Sequence, residues 1–324
     1  MKNYSKLAWF GVVFAMCVIV LGAYVRLSDA GLGCPDWPGC YGKISVPTQS
    51  HEVAQANLDF PERAVEAHKA WKEMVHRYFA GILGFIVLAL FIGAYKKRDE
   101  MALTLPSILS VVILFQAALG MWTVTLQLKP IIVMAHLMGG MLTVSLLCWL
   151  ALSTSNIRPY RYGGHVKQSM IVFGLVLVVV QIMLGGWTSS NYAALSCIGF
   201  PLCNGQVLPE MNFTEAFVMW RGLGVNYEFG VLDAASRVAI QMTHRIGFVI
   251  VSVYLIWLSF RLMKNRELMP LGLLLLSLLS TQVALGIANV TLGLPLLVAV
   301  AHNGVAALLL LSMVALLYKT RKST

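Results

Sequence analysis

Residues 73–95, EMVHRYFAGILGFIVLALFIGAY, decide how this chain folds. After Arg77 the segment carries no charge, and about 20 consecutive apolar residues suffice for one helix to cross a bilayer. Residues 241–260, QMTHRIGFVIVSVYLIWLSF, repeat the design, with a polar residue three places before a His-Arg pair. The two segments together predict membrane-spanning helices with a histidine near one end, and a duplicated chain.

The composition places most of the chain in lipid. Of 324 residues, 58% are hydrophobic and 12% charged, whereas soluble domains are about half apolar and a quarter charged. The net charge of +10 lies in short clusters between apolar runs and not along one face, which argues against nucleic-acid binding. We predict an all-α integral membrane protein in the lipid bilayer, with eight transmembrane helices at 7–27, 75–95, 103–125, 131–152, 169–188, 238–260, 268–290 and 295–318.

The basic residues orient these helices. Fourteen of them fall on one side of the predicted membrane, against three acidic residues. The positive-inside rule therefore predicts that both termini are cytoplasmic and that the long loops 28–74 and 189–237 face outward. The fourteen are Lys2, Lys6, Lys96, Lys97, Arg98, Arg158, Arg161, Lys167, Arg261, Lys264, Arg266, Lys319, Arg321 and Lys322.

An internal repeat divides the chain into two tandem, pseudo-symmetric four-helix bundles, predicted at 1–155 and 156–324. Helices 3, 5 and 7 of the eight share Gln-x-x-x-Gly, at Gln116/Gly120, Gln181/Gly185 and Gln282/Gly286. We interpret these glycines chiefly as close contacts between helices. The alternative is that they let a flat macrocycle approach the backbone.

Four histidines lie inside the predicted spans, two in each half: His76, His136, His244 and His302. A histidine in a span can simply bond to a neighbouring helix, but four at repeated positions favour a function. Haem iron takes an imidazole on each face, and four-helix bundles often hold such sites. Zinc would need three or four ligands, and copper has no softer ligand nearby. We therefore predict one haem per bundle, between His76 and His136 and between His244 and His302.

The residues beside the first histidine of each half suggest further roles. Arg77 and Arg245 can pair with haem propionates, or can snorkel to the membrane interface. Glu73 lies on the face of His76, whereas its counterpart is Gln241. This difference predicts a reactive site in the first half, with Glu73 as general base, and an electron-transfer site in the second. The alternative is that Glu73 only suits the positive end of the helix dipole.

Each long outer loop carries a pair of cysteines with five residues between them: Cys34 with Cys40, and Cys197 with Cys203. The space outside a bacterial inner membrane is oxidising, so we predict two local disulfides. Loop bracing and a redox role both remain open. A four-cysteine metal site is disfavoured, since the two loops belong to different bundles.

These motifs resemble the haem A synthase family over nearly the whole chain. The resemblance rests on Gly31-Leu-Gly-Cys34-Pro-Asp-Trp-Pro38, on Glu73-x-x-His76-Arg77 and on the duplicated histidines. It implies two successive hydroxylations of the C8 methyl of haem O, which give haem A for cytochrome c oxidase.

The resemblance also implies a role for each site. His76 and His136 would hold the substrate haem O, His244 and His302 would ligate haem b as cofactor, and Glu73 would match the essential acid. Cys34 and Cys40 would match a pair thought to act in redox steps. The expected partners are a haem O synthase (a farnesyltransferase), an electron acceptor and a second copy of the chain, in a bacterial inner membrane.

Two other functions compete with this one. A di-haem membrane cytochrome, exchanging electrons with a quinone without modifying haem, explains the histidines but does not require Glu73 or the cysteine loops. A transporter is permitted by the repeats, but no pair of Pro- or Gly-interrupted helices occurs at matching positions near the midplane.

Overall fold

The computed structural model describes residues 2–155 and 166–321. Eight of its helices are long and apolar enough to cross a membrane, so the predicted all-α membrane fold is confirmed. In chain order, the ten helices of the described residues are α1 (Lys2–Leu27), α2 (Ser50–Asp59), α3 (Ala67–Lys96), α4 (Thr104–Thr125), α5 (Pro130–Ser153), α6 (Gln168–Ser190), α7 (Phe213–Ala216), α8 (Ala234–Met263), α9 (Met269–Thr291) and α10 (Leu296–Lys319). Arg158, Arg161, Lys322 and the predicted domain boundary after residue 155 lie at or beyond the edges of the described ranges.

Three helices begin four or more residues before the predicted spans. Helix α1 starts at Lys2 and not at 7, α3 at Ala67 and not at 75, and α8 at Ala234 and not at 238. Hydropathy misses these first turns because they are polar. The start of α8 is fixed by Asp233, whose carboxylate accepts a hydrogen bond from the Ser236 N–H at 2.7 Å, as an N-cap residue does. Glu73 and Gln241 therefore lie inside continuous helices.

The spanning helices pack as two rings of four. In the first half α1 contacts α3, α3 contacts α4, α4 contacts α5 and α5 returns to α1. In the second half α6, α8, α9 and α10 form the same ring. The halves meet through α1 and α10, α5 and α6, and α5 and α10. Exchanging α1 with α6 and α5 with α10 leaves this set of contacts unchanged, which fits the predicted pair of tandem bundles.

The outer loops join the halves a second time. Arg63 of the first loop forms an ion pair with Glu228 of the second, with Nη2 and Oε2 2.9 Å apart. The buried Lys129, just before α5, donates to the Gly222 carbonyl at 2.7 Å and lies over the Trp220 ring. Each half therefore holds part of the other's outer loop.

Candidate functional site

The four predicted histidines lie two in each ring of helices. His76 of α3 and His136 of α5 are on opposite helices of the first ring, and His244 of α8 and His302 of α10 are on opposite helices of the second. All four side chains are half-buried. Each half thus places its own two histidines within one bundle.

A glycine on a neighbouring helix faces each imidazole ring. The separations from a Cβ built on the glycine to the histidine Cε1 are short enough at Gly22, Gly185 and Gly286 that a side chain would crowd the ring, whereas a Cβ on Gly120 would be at ordinary contact distance. They are 2.9 Å for Gly22 and His76, 3.5 Å for Gly120 and His136, 3.2 Å for Gly185 and His244, and 3.1 Å for Gly286 and His302. These glycines leave space for the histidine rings. The sequence pattern predicted close contacts between helices for the motif glycines and did not predict this role.

Gly22 is a site residue that the motif search missed. The other three glycines end a Gln-x-x-x-Gly motif, but in α1 the first position is Val18. The signal available in the sequence was the spacing. Gly22 and Gly185 are 163 residues apart, as are Cys34 and Cys197.

The glutamines of the motif contact the histidines directly. Gln116 Nε2 donates to the His136 carbonyl at 2.9 Å. Gln181 Nε2 donates to the His244 carbonyl at 3.0 Å and lies 3.1 Å from Nδ1 of the same ring. Gln282 Nε2 lies 3.3 Å from His302 Nε2. The motif therefore supports three of the four histidines.

The donor set fits haem. Within residues 2–155 and 166–321, no group of three or more His, Cys, Asp or Glu is placed to hold a metal ion. Two imidazoles per bundle suit a metal whose other ligands come from a macrocycle. The Nδ1 atoms of His76, His136 and His302 are buried without a hydrogen-bond partner, which is costly unless a ligand or another group satisfies them.

Glu73 connects the first histidine helix to the first cysteine loop. Its buried carboxylate accepts the Cys34 N–H at 3.0 Å through Oε2, and Oε1 lies 2.5 Å from Arg77 Nη2. Gln241, its counterpart, is equally buried, but its Oε1 has no hydrogen-bond partner. The two halves therefore differ in both charge and connectivity at this position.

The two arginines that follow histidines hold the cysteine loops. Arg77 donates to the carbonyls of Asp36, Pro38 and Gly39. Arg245 donates to those of Cys197, Gly199 and Leu202. These loop contacts could not be predicted from the sequence, and contacts of the two arginines with haem propionates remain a prediction.

Both predicted disulfides are formed, Cys34–Cys40 and Cys197–Cys203. All four cysteines are buried, against the first turns of α3 or α8. In the first loop, burial raises the pKa of the Tyr41 phenol to about 12, and its hydroxyl donates to the Ala64 carbonyl at 3.1 Å. Because each disulfide lies inside its own loop, the four cysteines do not form a shared metal site.

Comparisons with known proteins agree with this geometry. Residues 5–314 match the COX15-CtaA family, described as cytochrome oxidase assembly protein. A heme A synthase from Shewanella oneidensis is 49% identical over 95% of this chain and 93% of its own length. Heme A synthases from Shouchella clausii and Granulibacter bethesdensis are 28% and 26% identical, over 89% and 95% of this chain and 87% and 86% of theirs. The chain belongs to the COX15-CtaA family of cytochrome oxidase assembly proteins.

Proposed function

We propose that this protein is a haem A synthase, which oxidises the C8 methyl of haem O to a formyl group and so provides haem A for cytochrome c oxidase. Family membership and the relatives named heme A synthase support the reaction. Within the chain, one observation carries the proposal. A buried carboxylate, Glu73, lies one helical turn from one histidine pair, and the equivalent place at the other pair holds an amide.

The substrate site is the first ring of helices. His76 and His136 would hold haem O from its two faces, with Gly22 and Gly120 giving their rings room. Glu73 would accept a proton during the oxidation. Arg77 and the Cys34 N–H fix both of its oxygens, so the carboxylate is preoriented. Converting a methyl to a formyl with water as the oxygen source releases four electrons and four protons, so the proposal includes water and an external electron acceptor.

The second ring is the cofactor site. His244 and His302 would ligate haem b, which when bound supplies one-electron transfer. Gln181 orients His244 through both its carbonyl and its ring. Gln241 places no charge there, which suits a site that passes electrons without modifying its haem.

The protein would sit in a bacterial inner membrane, with both termini cytoplasmic and both cysteine loops outside. The skewed distribution of Lys and Arg supports this orientation. A C-terminal fluorescent-protein fusion should then fluoresce, and alkaline phosphatase fused within the loop 191–212 should be active; the reverse pattern would refute the orientation. Haem O would arrive from a haem O synthase, a farnesyltransferase.

The competing di-haem cytochrome has less support. It requires two similar histidine pairs, but it gives no role to a carboxylate that joins one pair to a disulfide loop. The curated relatives described above are named as synthases.

The test is expression in a host that lacks its own haem A synthase, with and without a haem O synthase, followed by haem extraction and mass analysis. The proposal predicts haem A, or its hydroxylated precursor, only when haem O is supplied. Purified protein that carries haem O and haem b unchanged, under conditions where a known haem A synthase is active, would contradict it.

A further inference from the structure

The four histidines are not supported equally. The residue four places before the facing glycine is Val18 at His76 and Gln116 at His136. The two members of the first pair differ in this side chain, because the Gln116 amide donates a hydrogen bond to the His136 carbonyl and Val18 has no side-chain donor to offer His76.

At His136 and His244, a second glycine packs against the glutamine side chain that contacts the histidine. Gly139 and Gly247 each lie three residues after a histidine, and the glutamine side chain packs against them. A Cβ on Gly139 would lie 2.6 Å from Gln116 Nε2, and one on Gly247 would collide with Gln181 Oε1. A glutamine, its own Gly and the His-x-x-Gly glycine thus form a unit, which we call the amide clamp. His136 and His244 each have a complete clamp.

At His76 two parts of the amide clamp, the glutamine and the second glycine, are replaced by other residues. Val18 stands where the glutamine would be, and Phe79 stands where the second glycine would be. Phe79 stacks on Phe14 of α1, with ring centroids 5.5 Å apart. This apolar contact joins α3 to α1 but leaves the carbonyl of His76 without an amide. His302 is intermediate, since it keeps Gln282 but has Val305 at the second position.

Partners behind a metal ligand set how firmly it is held. They fix the orientation of the imidazole, and losing one typically costs 10–100-fold in metal affinity. A site that receives a substrate haem and releases a product haem must let go of at least one axial ligand in each cycle. A resident cofactor has no such requirement.

We propose that His76 is the exchangeable axial ligand of the first bundle and that the amide clamp makes His136 its permanent ligand. Resting on the function proposed above, this assigns to Val18 and Phe79 the role of positioning residues that keep the substrate site releasable. Haem is therefore lost from the first bundle through His76, and more slowly from the second.

The test follows haem transfer from the purified holoprotein to excess apomyoglobin by absorbance, with extraction of the remaining haem at intervals. The wild type should show a fast and a slow phase. Installing the clamp with Val18→Gln and Phe79→Gly should slow the fast phase by about 10-fold or more. Val18→Leu with Phe79→Gly, which lacks the donor, is the matched control and should not slow it.

Removing a clamp should act in the opposite direction. Gln116→Val should accelerate the fast phase, and Gln181→Val the slow phase, each with a change in the low-spin haem spectrum. Equal rates from both bundles, or an unchanged fast phase in the Val18→Gln, Phe79→Gly variant with intact helicity and haem content, would overturn the inference. Haem extraction distinguishes a failure of the clamp inference from a failure of the proposed function. If haem O is converted but the two bundles lose haem at equal rates, only the clamp is refuted. If the two rates differ but the haem stays unmodified, only the synthase function is refuted.

Discussion

At the scale of single residues, the positions without side chains are as informative as the ligands. Gly22 and Gly185 occupy the same place in the two rings, and each faces a histidine ring. An alanine at either place would push the imidazole away from the position that it occupies here. The imidazole ring occupies the space that a side chain at Gly22 or Gly185 would fill. The close approach of two helices is therefore only part of the reason for a glycine at these positions.

Gly22→Ala tests this reading. The added Cβ would lie 2.9 Å from His76 Cε1, so we expect haem occupancy of the first bundle to fall by about 10-fold or more. The measurement is haem content by extraction, alongside the absorbance spectrum. The control is Gly81→Ala in α3, where a Cβ would meet nothing within 4 Å. Full haem content in Gly22→Ala would contradict the role given to this glycine.

The sequence predicted the placement of the histidines better than their surroundings. The four histidines followed from the repeat, and Glu73 from the asymmetry between halves. The loop contacts of Arg77 did not follow, because they join residues about 40 positions apart with no periodic signal. Gly22 was missed for a similar reason. Its Gln-x-x-x-Gly motif is broken at Val18, and the role of this glycine becomes visible only when the structure places the His76 ring beside it.

At the scale of elements, each cysteine loop is fastened to the helix that carries the first histidine of its half. One arginine in each helix donates to three loop carbonyls. A guanidinium can serve several acceptors at once because its donors form a fixed fork, whereas an ammonium is a point charge. The loop and the helix should therefore move as one body.

Arg77→Lys is expected to loosen the first loop. Lysine keeps the charge beside Glu73 but cannot satisfy three carbonyls in the same geometry. The buried Cys34–Cys40 disulfide should then be reduced several-fold faster by a water-soluble phosphine, measured by thiol labelling. Arg98→Lys, beyond the other end of α3, is the control. A reduction rate unchanged in Arg77→Lys would show that the arginine does not hold the loop closed.

Hydropathy predicted the spans but not their ends. All eight spans were placed within a few residues, except for the first turns of α1, α3 and α8. The amphipathic turns of α3 carry His68, Lys69 and Lys72, which lowers the local hydropathy although the helix continues. Helix α2 was missed inside a loop, because ten residues with one buried alanine leave little apolar periodicity.

At the scale of the whole molecule, the two halves form one unit through both their helices and their outer loops. The ion pair between Arg63 and Glu228 is the clearest loop contact. The side chains are 22% and 12% exposed, so they are better shielded than a surface pair. The hydrogen bonds that the Arg63 guanidinium donates to the Glu228 carboxylate also raise the pKa of the guanidinium.

Arg63→Gln should weaken the contact between the halves. Leaving the shielded Glu228 without its partner costs about 1–3 kcal/mol, which corresponds to a fall of a few degrees in the melting temperature in detergent. The matched control is Lys43→Gln, which breaks the more exposed pair with Glu52 and should leave the melting temperature nearly unchanged. Equal effects of the two substitutions would show that the loop pair does not join the halves.

The central claim is that one half modifies haem and the other does not, because only the first has a carboxylate at its histidine pair. The most direct measurement compares Glu73→Gln with the wild type when both are supplied with haem O, by extraction and mass analysis of the bound haems. Gln241→Glu, the reciprocal change, serves as the comparison. Glu73→Gln should bind haem O but form no haem A, and Gln241→Glu should still form it. Haem A at the wild-type level in Glu73→Gln would show that the carboxylate does not make the first half reactive.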